Sequence, residues 1–91
     1  MANVIITLKI TPSSPDIDLA GISEKAKGFI SEFGGEVGKE EIEPIGFGID
    51  AIKLFFVLDE SKGSTDVVED KIRSLDEVSS AEVTDVRRAL G

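Results

Sequence analysis

The sequence predicts an α+β fold of the ferredoxin-like type, a four-stranded antiparallel sheet with two helices on one face. Three observations carry the prediction. Apolar residues alternate with a period of two at the start, in the middle and at the end of the chain. Two intervening stretches repeat their apolar residues every three to four positions instead. The resulting order is strand, helix, strand, strand, helix, strand, which right-handed crossovers fold into a split βαβ sandwich. Ninety-one residues fit one domain, 1–91, and leave no room for a second.

Val4, Ile6, Leu8 and Ile10 alternate with Ile5, Thr7 and Lys9, the pattern of a strand with one fully apolar face. The segment Thr11-Pro12-Ser13-Ser14-Pro15-Asp16 breaks that pattern, and it supplies a helix cap and acidic residues that suit the positive end of a helix dipole. Leu19, Ile22, Ala26, Phe29, Ile30 and Phe33 then line one face of a helix about four turns long. Gly34-Gly35 stops it. Glu36 to Glu43 is polar, with Val37 and Ile42 as its apolar anchors, and reads as an edge strand guarded by charge. A loop, Pro44-Ile45-Gly46-Phe47-Gly48, leads to the strongest strand, Ile49 to Leu58, expected at the sheet centre. Ile52, Leu54, Phe56 and Leu58 share one of its faces; Ala51, Lys53, Phe55 and Val57 share the other. After a turn at 59–63, Ser64 or Thr65 caps a second helix with Val68, Ile72 and Leu75 as its apolar stripe, packed on the same sheet face. Val78 to Arg88 reads as the last strand, through Ala81, Val83 and Val86.

Composition narrows function by exclusion. The chain has no cysteine and no histidine, so it lacks a disulfide framework, a thiolate site, the usual zinc ligands and the commonest proton shuttle near neutral pH. Ten basic against eighteen acidic residues give a net charge of -8, which repels phosphate backbones and anionic membranes and favours basic protein surfaces. No apolar run approaches the roughly 20 residues needed to cross a bilayer, and Met1-Ala2-Asn3-Val4 enters the first strand without a signal-peptide pattern, so a soluble, cytoplasmic protein is expected.

Motifs for chemistry are weak. Gly46-Phe47-Gly48-Ile49-Asp50-Ala51 matches the letters of a dinucleotide fingerprint, but a strand follows where that site needs a helix N-terminus. Lys62-Gly63 lacks the glycine spacing of a phosphate loop. The carboxylate clusters Asp16/Asp18, Glu40/Glu41/Glu43, Asp59/Glu60, Asp66/Glu69/Asp70 and Asp76/Glu77 fall in turns or on polar faces, where general acid-base work has no dry pocket. Phe55 alone could stack a base on the open sheet face, too little for single-stranded nucleic acid. The reading is therefore a protein-binding domain, not an enzyme, with no cofactor, metal, nucleic acid or membrane partner of its own.

Stability explains two features poorly. Phe47 sits between two glycines at a tight turn, where its ring can project outward. Arg87-Arg88 is a basic pair close to the end of an acidic chain, placed to reach into a neighbour. At these residues the chain resembles the elongation factor 1-beta family of guanine-nucleotide exchange factors, both its archaeal members and the C-terminal exchange domain of its eukaryotic ones. The resemblance rests on Glu43-Pro44-Ile45-Gly46-Phe47-Gly48-Ile49, Gly63-Ser64-Thr65-Asp66, Ser14-Pro15-Asp16 and Val83-Thr84-Asp85-Val86-Arg87-Arg88.

The resemblance implies one exchange-factor domain on the ferredoxin-like fold, acting on the GTPase elongation factor 1-alpha. It implies partner contacts at Pro44, Ile45, Gly46, Phe47 and Gly48, with Phe47 inserting into the GTPase. It also implies a basic residue near the C-terminus, Arg88 or in its place Arg87, that disturbs the GTPase's magnesium site. The chain departs from the eukaryotic pattern in carrying arginine where that domain has lysine, and in continuing through Leu90-Gly91. Two alternatives stand beside this reading. One is a small-molecule-sensing regulatory domain acting as a dimer, which needs a pocket with convergent polar groups. The other is an unrelated structural interaction module.

Overall fold

The computed structural model describes residues 3–89. Its elements are β1 (Asn3–Pro12), α1 (Leu19–Phe33), β2 (Glu36–Gly46), β3 (Ile49–Asp59), a 3₁₀ turn at Glu60–Lys62, α2 (Asp66–Arg73) and β4 (Val78–Ala89). The strands form one antiparallel sheet in the order β2-β3-β1-β4, the ferredoxin-like arrangement, with β3 and β1 central.

Register puts every second residue of the central strands on one face. Ile6, Leu8 and Ile10 lie opposite Phe56, Leu54 and Ile52. All six are buried beneath Ile22, Ala26 and Ile30 of α1 and Val68 and Ile72 of α2. Both helices therefore cover the same face, because only that face offers a continuous apolar surface. Among the described residues the other face has no helix over it; Ile5, Val57 and Phe55 are partly exposed there, with Lys39 Nζ 5.4 Å from the Phe55 ring centroid.

Each helix differs from its sequence reading at a terminus. β1 runs on through Pro12, and the cap of α1 is Asp18, whose Oδ1 accepts from the Ala20 backbone N–H at 3.1 Å; the 11–16 segment does not cap. At the other end Gly34 takes φ 101°, the left-handed conformation glycine adopts without strain, and its N–H reaches the Ile30 and Ser31 carbonyls. Thr65 occupies the N-cap position of α2, but its hydroxyl donates to Glu69; Ser64 Oγ accepts from the Asp66 backbone N–H instead. Leu75 packs on the core from beyond the helix, which ends at Arg73.

Bulges reconcile odd spacings with a period of two. Val83 and Val86 are three residues apart, yet they oppose Leu8 and Ile6 on one face because Thr84 is skipped in the β1–β4 register. Gly38 is skipped in the same way between Val37 and Lys39, so that Val37 and Ile42 both align with the core side of β3. At the edge, Ser23 of α1 donates its hydroxyl to Glu40, and Lys27 Nζ lies 3.1 Å from the other carboxylate oxygen. The Ser23 hydrogen bond, outweighing desolvation and helped by Lys27, holds the Glu40 carboxyl below its ordinary range.

Candidate functional site

The hairpin joining β2 to β3 is tighter than its sequence suggests. β2 pairs through Pro44, opposite Asp50, and Gly46, opposite Ile49, so Phe47-Gly48 is the whole turn and Pro44, Ile45 and Gly46 are strand, not loop. A two-residue turn must curl with the twist of its strands, and in its type I′ form this takes positive φ at both positions. Phe47 and Gly48 have φ of 55° and 73°, and Gly46 before them has 100°. A Cβ at Gly46 or Gly48 would meet nothing within 4 Å, so glycine is required there by backbone conformation alone.

The consequence falls on Phe47. It is the non-glycine residue with positive φ among the described residues, and its ring is 100% exposed. It does not fold back as a lid on the core. Ile45, 38% exposed, stands beside it on the same arm, past the Ile10–Ile52 pair where the β1–β3 register ends. Behind the arm, Glu43 is held between Lys9 at 3.1 Å and Lys53 at 3.9 Å, which neutralises the carboxylate nearest the tip on the open face.

Arg87 and Arg88 are not a free tail. Both belong to β4, opposite Ile5 and Val4, and they point to opposite faces of the sheet. Arg87 shares the open face with Ile5 and pairs with Asp85 of its own strand at 2.9 Å. Arg88 lies on the helix-covered side, reaches over the end of β1 and donates through Nε (3.3 Å) and Nη2 (2.9 Å) to Glu60 Oε2 in the 3₁₀ turn. Asp59, which caps that turn, is held below the usual carboxylate range mainly by the Ser61 backbone N–H, with the Ser61 hydroxyl adding to it.

The structure does not bring the two candidate regions together. Arg87 and Arg88 are level with Val57 and Leu58 across β1, whereas Phe47 lies beyond the start of β3. Ten positions at about 3.3 Å each put the ring and the guanidinium groups roughly 30 Å apart along the strands. They also sit at opposite edges of the sheet. Glu60 was not foreseeable as a neighbour of Arg88, since 28 positions separate them and only sheet register joins them.

Among the described residues no group of three or more acidic side chains is arranged to hold a metal ion, and no helix is long and apolar enough to cross a membrane. A groove of about 410 Å³ between α1 and β2 is lined by Leu19, Ser23, Lys27, Glu40 and Ile42 among others, and by none of the candidate residues. Its Ser23, Lys27 and Glu40 bond one another instead of converging on a guest.

Residues 5–89 match the family model described as the EF-1 guanine nucleotide exchange domain. The chain belongs to this family. Proteins called elongation factor 1-beta are similar to it over nearly their whole length. The one from Methanosphaera stadtmanae is 42% identical over 90 residues, covering 99% of this chain and 100% of that one. The one from Pyrococcus abyssi is 42% identical over 88 residues, covering 94% of each chain. Among solved structures, the ACT domain from the GTP pyrophosphokinase of Chlorobium tepidum superposes with a TM-score of 0.60 at 20% identity, covering 89% of this chain and 97% of that one. A homoserine dehydrogenase from Thiobacillus denitrificans gives 0.59 at 16% identity over 94% of this chain and 17% of the enzyme. These structural likenesses concern the fold alone. Within the EF-1 exchange domain family, the matched span takes in both the hairpin tip and the Arg87-Arg88 end of β4.

Proposed function

We propose that this chain promotes release of GDP from the translation GTPase elongation factor 1-alpha, with Phe47 and a basic residue of β4 as separate points of contact. Family membership supports the exchange role. The observation that carries the residue assignment is Phe47 itself: a large apolar ring, fully exposed and held at positive φ, which costs stability and gains nothing within the chain. Burying such a ring in an apolar socket of a partner is worth about 1.5–3 kcal/mol, roughly 10- to 150-fold in affinity.

Exchange follows from linkage. A factor that binds the nucleotide-free GTPase more tightly than the loaded one weakens nucleotide binding by the same ratio. A magnesium ion bridging nucleotide to GTPase demands near-ideal oxygen ligands, so a guanidinium drawn to those oxyanions loosens it. With about 30 Å between them, Phe47 and the arginines contact different parts of the GTPase, and only the basic end addresses the magnesium side. The acidic balance of the chain, -8 overall, suits a basic docking surface around these contacts.

Release of fluorescent GDP from purified elongation factor 1-alpha tests this. Wild-type protein is expected to accelerate release, Phe47→Ala to lose at least tenfold in kcat/KM, and Arg88→Ala to lose activity as well. Point substitutions suit the test better than truncation, because residues 85–89 pair with Asn3–Thr7 in the sheet. No acceleration by wild-type protein rejects the exchange role; full acceleration by Phe47→Ala rejects the part given to the ring.

A further inference from the structure

Arg88 and Arg87 differ in what the fold has done with their charge. Arg87 is paired within its own strand and faces the open side, 78% exposed, an arrangement that any edge strand allows. Arg88 is tied to a different element. Its Nε and Nη2 both donate to one oxygen of Glu60, the first residue of the 3₁₀ turn, across the end of β1. The turn is itself anchored, since Asp59 Oδ1 accepts from the Ser61 backbone N–H at 2.9 Å and the Gly63 N–H bonds the Glu60 carbonyl. Glu60 is therefore held from a fixed backbone, while β4 fixes the other end of the pair.

A guanidinium has two edges that can each grip an oxyanion, one made by Nε and a terminal nitrogen, the other by the two terminal nitrogens. Glu60 occupies the first edge. Nη1 has no hydrogen-bond partner among the described residues, so the second edge remains open with its direction set.

Resting on the exchange reading above, we propose that Glu60 is a positioning residue for Arg88: it holds the guanidinium by one edge so that the other meets an oxyanion of the GTPase. The arginine keeps its Glu60 contact when it docks. Lysine could not do this, because an ammonium is a point charge without a second planar edge. The oxyanion is a carboxylate of the GTPase, because a contact made only to a phosphate of the bound nucleotide would by linkage strengthen nucleotide binding.

The test uses the full chain with Glu60→Gln, Arg88→Ala and the double variant in the GDP-release assay, with the arginine Nε–H resonances followed by NMR. Glu60→Gln is expected to lower kcat/KM two- to fivefold in the wild-type background and to add nothing once Arg88 is alanine, with the melting temperature unchanged. The Arg88 Nε–H resonance is expected to shift in Glu60→Gln in the absence of GTPase. An unmoved resonance, an equal loss in the Arg88→Ala background, or faster exchange in Glu60→Gln overturns the proposal; the last would mean that Glu60 competes for the cation. If wild-type protein fails to accelerate release while the resonance still shifts, the exchange reading has failed and the clasp has not, which leaves Glu60 without the role proposed for it. Weaker binding of Arg88→Ala to nucleotide-free GTPase supports this target, whereas a loss confined to the GDP-bound form overturns the proposal.

Discussion

Phe47 occupies a left-handed conformation, φ 55°, that costs a bulky side chain about 1 kcal/mol or more. Two-residue turns of this kind favour Asn-Gly, because a short polar side chain tolerates positive φ. Phe47→Asn is therefore expected to raise the unfolding free energy by about 0.5–1 kcal/mol in urea titration while removing most exchange activity. Opposite signs for stability and activity would distinguish a residue kept for docking from one kept for folding. A loss of stability instead would show that the ring supports the hairpin, contrary to its full exposure.

At the scale of elements, the join between the polar edge strand β2 and helix α1 is largely polar. Val37 packs on the core, while Ile42 is half exposed, so much of the attachment is carried by Ser23, Lys27 and Glu40. Ser23 is buried, and its hydroxyl, with Lys27, keeps the Glu40 carboxyl below its ordinary value of 4.5. A carboxyl whose folded pKa is lowered contributes stability above its unfolded pKa and loses it as pH falls through the folded one. Ser23→Ala is expected to cost about 1 kcal/mol at neutral pH, since alanine leaves no buried orphan donor and Glu40 keeps Lys27. That difference from wild type should be complete above about pH 4.5 and shrink at lower pH, as followed by thermal unfolding across an acid series. A pH-independent difference would assign the loss to packing at position 23.

Taken whole, the molecule is long for its mass, 42 × 21 × 17 Å, because the β2–β3 arm extends the sheet beyond its helices at one end. Phe47 stands at that end and the arginines at the other, on opposite edges. Groups so far apart with no shared neighbours act independently, within about 0.5 kcal/mol. Phe47→Ala and Arg88→Ala should accordingly lower kcat/KM by factors that multiply in the double variant to within about twofold. Strong non-additivity would mean that both groups act on one small region of the partner, which their separation in this fold opposes.

Much of this architecture was legible in the residues. Alternation at Val4–Ile10 and Ile49–Leu58, and the helical spacing from Leu19 to Phe33, report on burial of one face, and burial dominates folding. The prominence of Phe47 was legible too, because an aromatic between two glycines has no local reason to be there. The exact ends of the hairpin were less so: Pro44, Ile45 and Gly46 carry the letters of a loop, yet pairing of Pro44 and Gly46 with β3, around a bulge at Ile45, draws them into the strand. Composition and period together determined the fold class and the absence of the usual histidine and cysteine chemistry. Only the tertiary structure decided the bulges at Gly38 and Thr84, the opposite facing of Arg87 and Arg88, the Glu60 clasp and the distance from Phe47 to the arginines. Those depend on which residues become neighbours through strand register, a long-range pairing that no local pattern encodes.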